Sequence, residues 1–168
     1  MRNRNRFLTH AAIIGALYVV LTHMQNILIP NSASFSIQCR LSEALCVLAF
    51  FTPAAAPGLA VGCLLFNLNY AAALPLDAVV GTLATWLACK AMWMTRNIRF
   101  LGLPLVSLLM PALTNAIFVG WELTVYIGGG FWINALYVAL GEAAVLLIPG
   151  SLLYLAMTKR GLDQKLFG

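Results

Sequence analysis

The sequence predicts an all-α fold: an integral membrane bundle of six transmembrane helices with both termini cytoplasmic. Three observations carry that expectation. Of 168 residues, 62% are hydrophobic and 9% charged, whereas a soluble domain carries nearer a quarter charged; mean hydropathy is +0.91. The apolar runs are broken by turn residues, and at about 20 residues per span the length allows six or seven spans in a single domain, 1–168. The positive charges also cluster. Of the ten Lys and Arg, all but Arg40 fall in three groups: Arg2, Arg4 and Arg6; Lys90, Arg96 and Arg99; Lys159, Arg160 and Lys165. Cytoplasmic placement of all three requires an even number of spans between successive groups. The same composition excludes an ordinary water-exposed surface, a disordered chain, a disulfide-stapled secreted module and a nucleic-acid binder.

The elements follow in order. Helix 1 is expected over about Phe7 to Leu28 and reads as a membrane helix rather than a cleaved leader, because the apolar run continues to Ile29 without a clear small-residue cleavage site. A polar outer segment runs from Ile29 to Ser36. Helix 2 is expected over Ile37 to Phe51, and a short inner turn with Pro53 and Pro57 leads to helix 3, Gly58 to Ala71. Both are short for a span, which points to tilt or a re-entrant path. An outer turn with Pro75 precedes helix 4, Asp77 to Met94, with Asp77 placed to cap its N-terminus. The basic loop Thr95 to Leu101 leads to helix 5, Leu103 to Tyr126, with a kink expected at Pro111. Gly128, Gly129 and Gly130 make an outer turn. Helix 6 is expected over Phe131 to Thr158, with a break at Pro149-Gly150. All three basic clusters then lie inside.

Catalytic motifs are missing. There is no phosphate-binding G-x-x-x-x-G-K-[ST] loop, no H-E-x-x-H and no C-x-x-C. His10 and His23 sit near opposite ends of helix 1, too far apart for one metal site. Cys39, Cys46, Cys63 and Cys89 read as small free residues. The expectation is therefore no catalytic residues, no metal, no cofactor and no enzymatic activity.

The polar residues inside the apolar runs carry the functional information, because a charge at the bilayer centre costs roughly 2.5–3.5 kcal/mol on insertion scales. They are Arg40, Glu43, Asn67, Asp77, Asn115, Glu122, Asn134 and Glu142. The topology places them in the outer half or near the midplane, which predicts a pocket open to the outside. Arg40 and Glu43 are spaced i,i+3, and Asn115 and Glu122 i,i+7. Arg40 is the one cation in this half, and it cannot pair with Glu43, Glu122 and Glu142 together. Either some of these carboxyls carry a proton, or a cationic, donor-rich ligand completes the site. Tyr70, Trp121, Tyr126, Phe131 and Trp132 surround the region, as an interfacial belt or, for one or two of them, as stacking faces for a flat ligand. Carboxylates beside aromatic faces suit a planar heterocycle with adjacent N–H donors. Ala12 and Ala16, with Gly15 beside them, form a small-xxx-small pattern, fit either for packing within the bundle or for docking to another membrane subunit.

These residues also carry a resemblance. The stretch Gln38-Cys39-Arg40-Leu41-Ser42-Glu43-Ala44-Leu45 with Phe51-Thr52-Pro53-Ala54-Ala55 and Pro57-Gly58-Leu59 resembles the QueT family of queuosine-precursor transporters. So do Gly62-Cys63-Leu64-Leu65 with Asn67, Asp77 with Gly81-Thr82-Leu83-Ala84-Thr85, Asn115-Ala116 with Val119-Gly120, and Tyr137-Val138-Ala139 with Gly141-Glu142. Phe66 stands where a small residue is expected and Thr82 where serine is.

The resemblance implies a substrate-binding subunit (S-component) of an energy-coupling-factor (ECF) importer in the bacterial plasma membrane. It implies a 7-deazaguanine ligand (preQ1, preQ0 or queuine), a coupling membrane subunit (EcfT) docked on Ala12 and Ala16, and two cytoplasmic ATPases (EcfA). On this reading Arg40, Glu43, Asn67, Asn115, Glu122, Asn134 and Glu142 face the substrate. The alternatives are a stand-alone secondary transporter, in which the buried carboxyls carry protons or sodium, and an S-component for another flat heterocyclic vitamin.

Overall fold

A computed structural model of the chain describes residues 2–30, 39–70, 73–100 and 103–167. Its elements follow the apolar runs. Helix α1 spans Arg2–Leu28, and a 3-10 helix spans Leu41–Phe50. They are followed by α2 (Ala55–Asn69), α3 (Asp77–Thr95), the single turn α4 (Leu105–Leu108) and α5 (Met110–Tyr126). The chain ends in α6 (Phe131–Val145), a π-helical stretch Leu146–Gly150, α7 (Ser151–Lys159) and α8 (Leu162–Phe167). The described residues are helical almost throughout, with one isolated bridge between Phe100 and Leu103.

Three stretches are long and apolar enough to cross a membrane unaided: Asn3–Leu28, Leu105–Tyr126 and Phe131–Lys159. The 3-10 helix and α2 are apolar but shorter. Ten residues at a 3-10 rise cover about 20 Å, and fifteen at an α rise about 22 Å. Both fall short of the roughly 30 Å hydrocarbon layer, as their run lengths implied.

Several boundaries differ from the sequence reading, each for a local reason. Most of the outer segment Ile29 to Ser36, and the expected first residues of helix 2, lie outside the described residues. Helix 2 itself begins later and is wound more tightly. Arg40 is extended (φ −85°, ψ 104°), and Gln25 of α1 fastens the start of the 3-10 helix: its side-chain amide donates to the Cys39 carbonyl and accepts from the Leu41 N–H at 2.7 Å. Helix 5 breaks at Leu109 rather than bending at Pro111, which lies in the first turn of α5, where its missing N–H costs no helix bond. Pro149 does interrupt helix 6. It sits inside the π-helical stretch, a widened turn that absorbs the carbonyl left without a donor. The C-terminal turn of helix, α8, is an addition to the expected elements.

Small residues set the closest helix contacts. A Cβ on Gly15 would lie 2.7 Å from the Gly58 carbonyl oxygen, one on Gly58 2.5 Å from that of Ala11, and one on Gly62 2.7 Å from that of Gly15. Helices α1 and α2 thus touch backbone to backbone, with Ala11 and Gly15 facing Gly58 and Gly62. Gly120 does the same for α5 against Ala135 of α6, where a Cβ would approach Ala135 Cα to 2.8 Å. Such contacts replace a hydrophobic drive that lipid cannot supply. The outward faces carry Leu8, Ile13, Leu17, Val20, Leu136 and Leu140, all exposed, as a lipid-facing surface requires.

Contacts at one end gather the basic clusters. His10 packs edge-on against Phe167 with ring centroids 5.2 Å apart, joining the start of α1 to α8. Arg99 Nη1 donates to the Tyr154 hydroxyl at 3.2 Å, joining the segment after α3 to α7. The basic residues of all three clusters therefore lie towards the same end of the bundle.

Candidate functional site

The site is built around the row of side chains that a 3-10 helix aligns at every third position. Glu43, Cys46 and Ala49 form that row, Arg40 stands just before it on extended backbone, and all four are buried. Glu43 is held from two directions: the Tyr18 hydroxyl of α1 donates to Oε1 at 2.6 Å, and the Cys46 thiol donates to Oε2 at 3.2 Å. One turn further along α1, the hydroxyls of Thr22 and Ser42 pair at 2.7 Å. Polar contacts thereby fix α1 to the 3-10 helix on the interior side. Tyr18 escaped the sequence reading because an aromatic residue in an apolar run reads as core. Its spacing three residues after Gly15, on the face turned toward α2, was the available signal.

Arg40 lies among α2 side chains. Its guanidinium carbon is 5.9 Å from the centre of the Phe66 ring, and its Nη1 reaches the Cys63 sulfur at 4.0 Å. Phe66 stacks on Tyr70 at 5.1 Å and meets His23 edge-on at 5.0 Å. A large ring at Phe66 therefore forms the wall beside the cation, in a place where a small residue was expected.

The other carboxyl groups lie within electrostatic reach of Arg40. Arg40 interacts electrostatically with Glu43 and Asp77, with Glu122 and with Glu142. Glu142 of α6 neighbours Asn115 of α5 and also feels Glu43. Glu122 of α5 faces Asp77 of α3. Asp77 does not cap α3 by bonding its first turn. Its Oδ2 accepts instead from the Leu74 N–H at 2.7 Å, closing the preceding turn. Asn67 of α2 donates to the Asp77 backbone carbonyl at 2.8 Å. Glu43, Glu122 and Glu142 are each at most 1% exposed.

Not every polar atom here has a partner. Among the described residues, the buried side-chain atoms lacking a hydrogen bond are both amide atoms of Asn26 and four acceptor oxygens: Asn67 Oδ1, Glu122 Oε1 and Oε2, and Glu142 Oε2. A buried polar group left unsatisfied costs about 1–3 kcal/mol. The four oxygens all belong to residues singled out from the sequence.

Asn134 stands apart from this group. Its amide donates to Thr124 Oγ1 and to the Gly128 carbonyl, both at 3.0 Å, and so secures the turn between α5 and α6. Gly128 and Gly129 adopt positive φ there, 91° and 81°, a conformation glycine accepts without steric penalty. Of the candidate aromatic residues, Trp121, Tyr126 and Trp132 are exposed and fit an interfacial belt. Ala12 and Ala16 are exposed on α1, while Ala11 and Gly15 make the internal contact with α2. The small-residue pattern thus divides into an inward and an outward stripe.

Comparison with known proteins places this arrangement. No curated protein and no solved structure gives a match. The family model of the QueT transporter matches residues 8–159, almost the whole helical bundle. That span includes every candidate site residue and the outward stripe of α1, and it assigns the chain a transport role: the chain belongs to the QueT transporter family.

Proposed function

We propose that the chain is the S-component of an ECF-type importer that captures a queuosine precursor of the 7-deazaguanine class. The observation that carries this reading is the set of four unpartnered acceptor oxygens on the buried side chains of Asn67, Glu122 and Glu142. A 7-deazaguanine offers what those oxygens lack. Its guanine-like edge presents adjacent N–H donors that one carboxylate accepts side by side. Glu142 beside Asn115 is suited to that edge, the carboxyl taking the donors and the amide reaching the ring carbonyl. Glu43, braced by Tyr18 and Cys46, serves as a fixed wall, with Arg40 and Phe66 closing one side. Asn67 and Glu122 read a second polar edge, and Asn134 orders the turn at the mouth of the site.

The proposed setting is a bacterial plasma membrane, crossed by six spans with the basic end cytoplasmic. The exposed stripe of Ala12 and Ala16 then serves as the docking surface for the EcfT coupling subunit, which links the chain to two EcfA ATPases. The test is uptake of radiolabelled preQ1 by cells that neither make nor import it. Uptake with the chain plus the coupling module, and none with the chain alone, is the expected result. Uptake by the chain alone would make it a secondary transporter.

A further inference from the structure

Within this cluster, the group around Asp77 has a chemistry of its own. Asp77 opens α3, Glu122 faces it from α5, and Asn67 approaches from α2. The N–H donors that α2 and the turn before α3 bring to this junction are already engaged, and the single guanidinium of Arg40, which interacts with Asp77 and Glu122, is shared with Glu43 and Glu142. The Leu74 N–H is bonded to Asp77 Oδ2, and Asn67 Nδ2 is bonded to the Asp77 carbonyl. What remains is acceptor: both oxygens of Glu122, which is fully buried, and Oδ1 of Asn67, which is 5% exposed. Gly81, one turn into α3, lets Asn67 pack this close to α3; a Cβ there would come within 3.1 Å of the Asn67 amide nitrogen.

The chemistry that suits such a junction is narrow. An anion would be repelled by the two carboxyls. A neutral group without donors would leave three oxygens buried and unpaired. A primary ammonium brings three N–H donors, one positive charge and no acceptor, and its bonds to carboxylates are the strong, charge-assisted kind.

We propose that Glu122, Asp77 and the Asn67 carbonyl form an ammonium subsite, so that the protein selects a deazaguanine bearing an aminomethyl group over its neutral nitrile counterpart. This rests on the deazaguanine reading above and deepens it: the guanine-like edge and the ammonium are read by separate carboxyl groups.

The test is calorimetric binding of preQ1, which carries the aminomethyl group, and preQ0, which carries the nitrile, to the purified full-length chain in detergent. The expected result is at least about tenfold tighter binding of preQ1, the scale of one charge-assisted hydrogen bond. Glu122→Gln is expected to shrink the preQ1-to-preQ0 ratio by about tenfold. Asp77→Asn keeps an acceptor for the Leu74 N–H and gives an independent reading if the first variant fails to fold. Equal binding of the two ligands by wild-type protein, or an unchanged ratio in folded variants, would overturn the subsite and leave the deazaguanine reading standing. Binding of neither ligand by folded wild-type protein would overturn both.

Discussion

The hydroxyl of Tyr18 donates a 2.6 Å hydrogen bond to Glu43 Oε1 across the contact between α1 and the 3-10 helix. Both side chains are buried, Tyr18 at 0% and Glu43 at 1% exposure. The bond joins the helix that carries the outward alanine stripe to the helix that carries the row of Glu43, Cys46 and Ala49. Tyr18→Phe keeps the ring and removes only the donor. It is expected to lower the unfolding free energy by about 1–3 kcal/mol, read as a lower melting temperature of the detergent-solubilised protein. An unchanged melting temperature would show that Cys46 alone suffices to hold Glu43.

Gly15 packs where α1 and α2 touch, and a Cβ there would meet the Gly58 carbonyl oxygen at 2.7 Å. The obstacle is backbone, which cannot swing aside as a side chain would. Gly15→Ala is therefore expected to destabilise the bundle by about 1–3 kcal/mol through overpacking. Thermal unfolding of the variant beside wild type measures this, and wild-type stability would mean that α1 shifts freely on α2.

Ala12 and Ala16 lie on an exposed side of α1, about 100° round the helix from Ala11 and Gly15. Ala12→Leu and Ala16→Leu lengthen side chains at exposed positions and are expected to change stability by no more than about 0.5 kcal/mol. If the stripe docks a coupling subunit, the same substitutions abolish co-purification with it while ligand affinity stays at the wild-type value. Retained co-purification would move the docking surface elsewhere.

Glu142 has one oxygen without a hydrogen bond, and Asn115 stands beside it. Glu142→Gln replaces an acceptor by a donor facing the donor edge of the ligand. A loss of at least about tenfold in preQ1 affinity is expected. Unchanged affinity would remove Glu142 from the site.

Much of this was legible in the sequence because membrane helices are written in long runs. The C-terminal ends of α1, α3 and α5 fall within one residue of the positions expected from apolar length and turn residues. The polar residues stood out for the same reason, as costly exceptions in apolar surroundings. The 3-10 winding of Leu41–Phe50 was not legible. Its residues have no distinctive composition, and the Gln25 clamp that starts it comes from another helix. The partition of roles within the cluster was also hidden. Asn67, Asn115 and Asn134 look alike in sequence, yet Asn134 bonds the turn carbonyl of Gly128 while Asn67 retains an unpartnered oxygen. Such differences arise from neighbours distant in the chain. The inward and outward alanine stripes of α1 were separable only once Gly58 and Gly62 were placed against Gly15.

The most direct test of the central claim is equilibrium binding of preQ1 to the purified chain in detergent, with guanine and riboflavin as controls. Saturable binding of preQ1 that is at least about tenfold tighter than binding of either control is the predicted result. Absence of binding by preQ1, preQ0 and queuine, in protein shown to be folded, would contradict the claim.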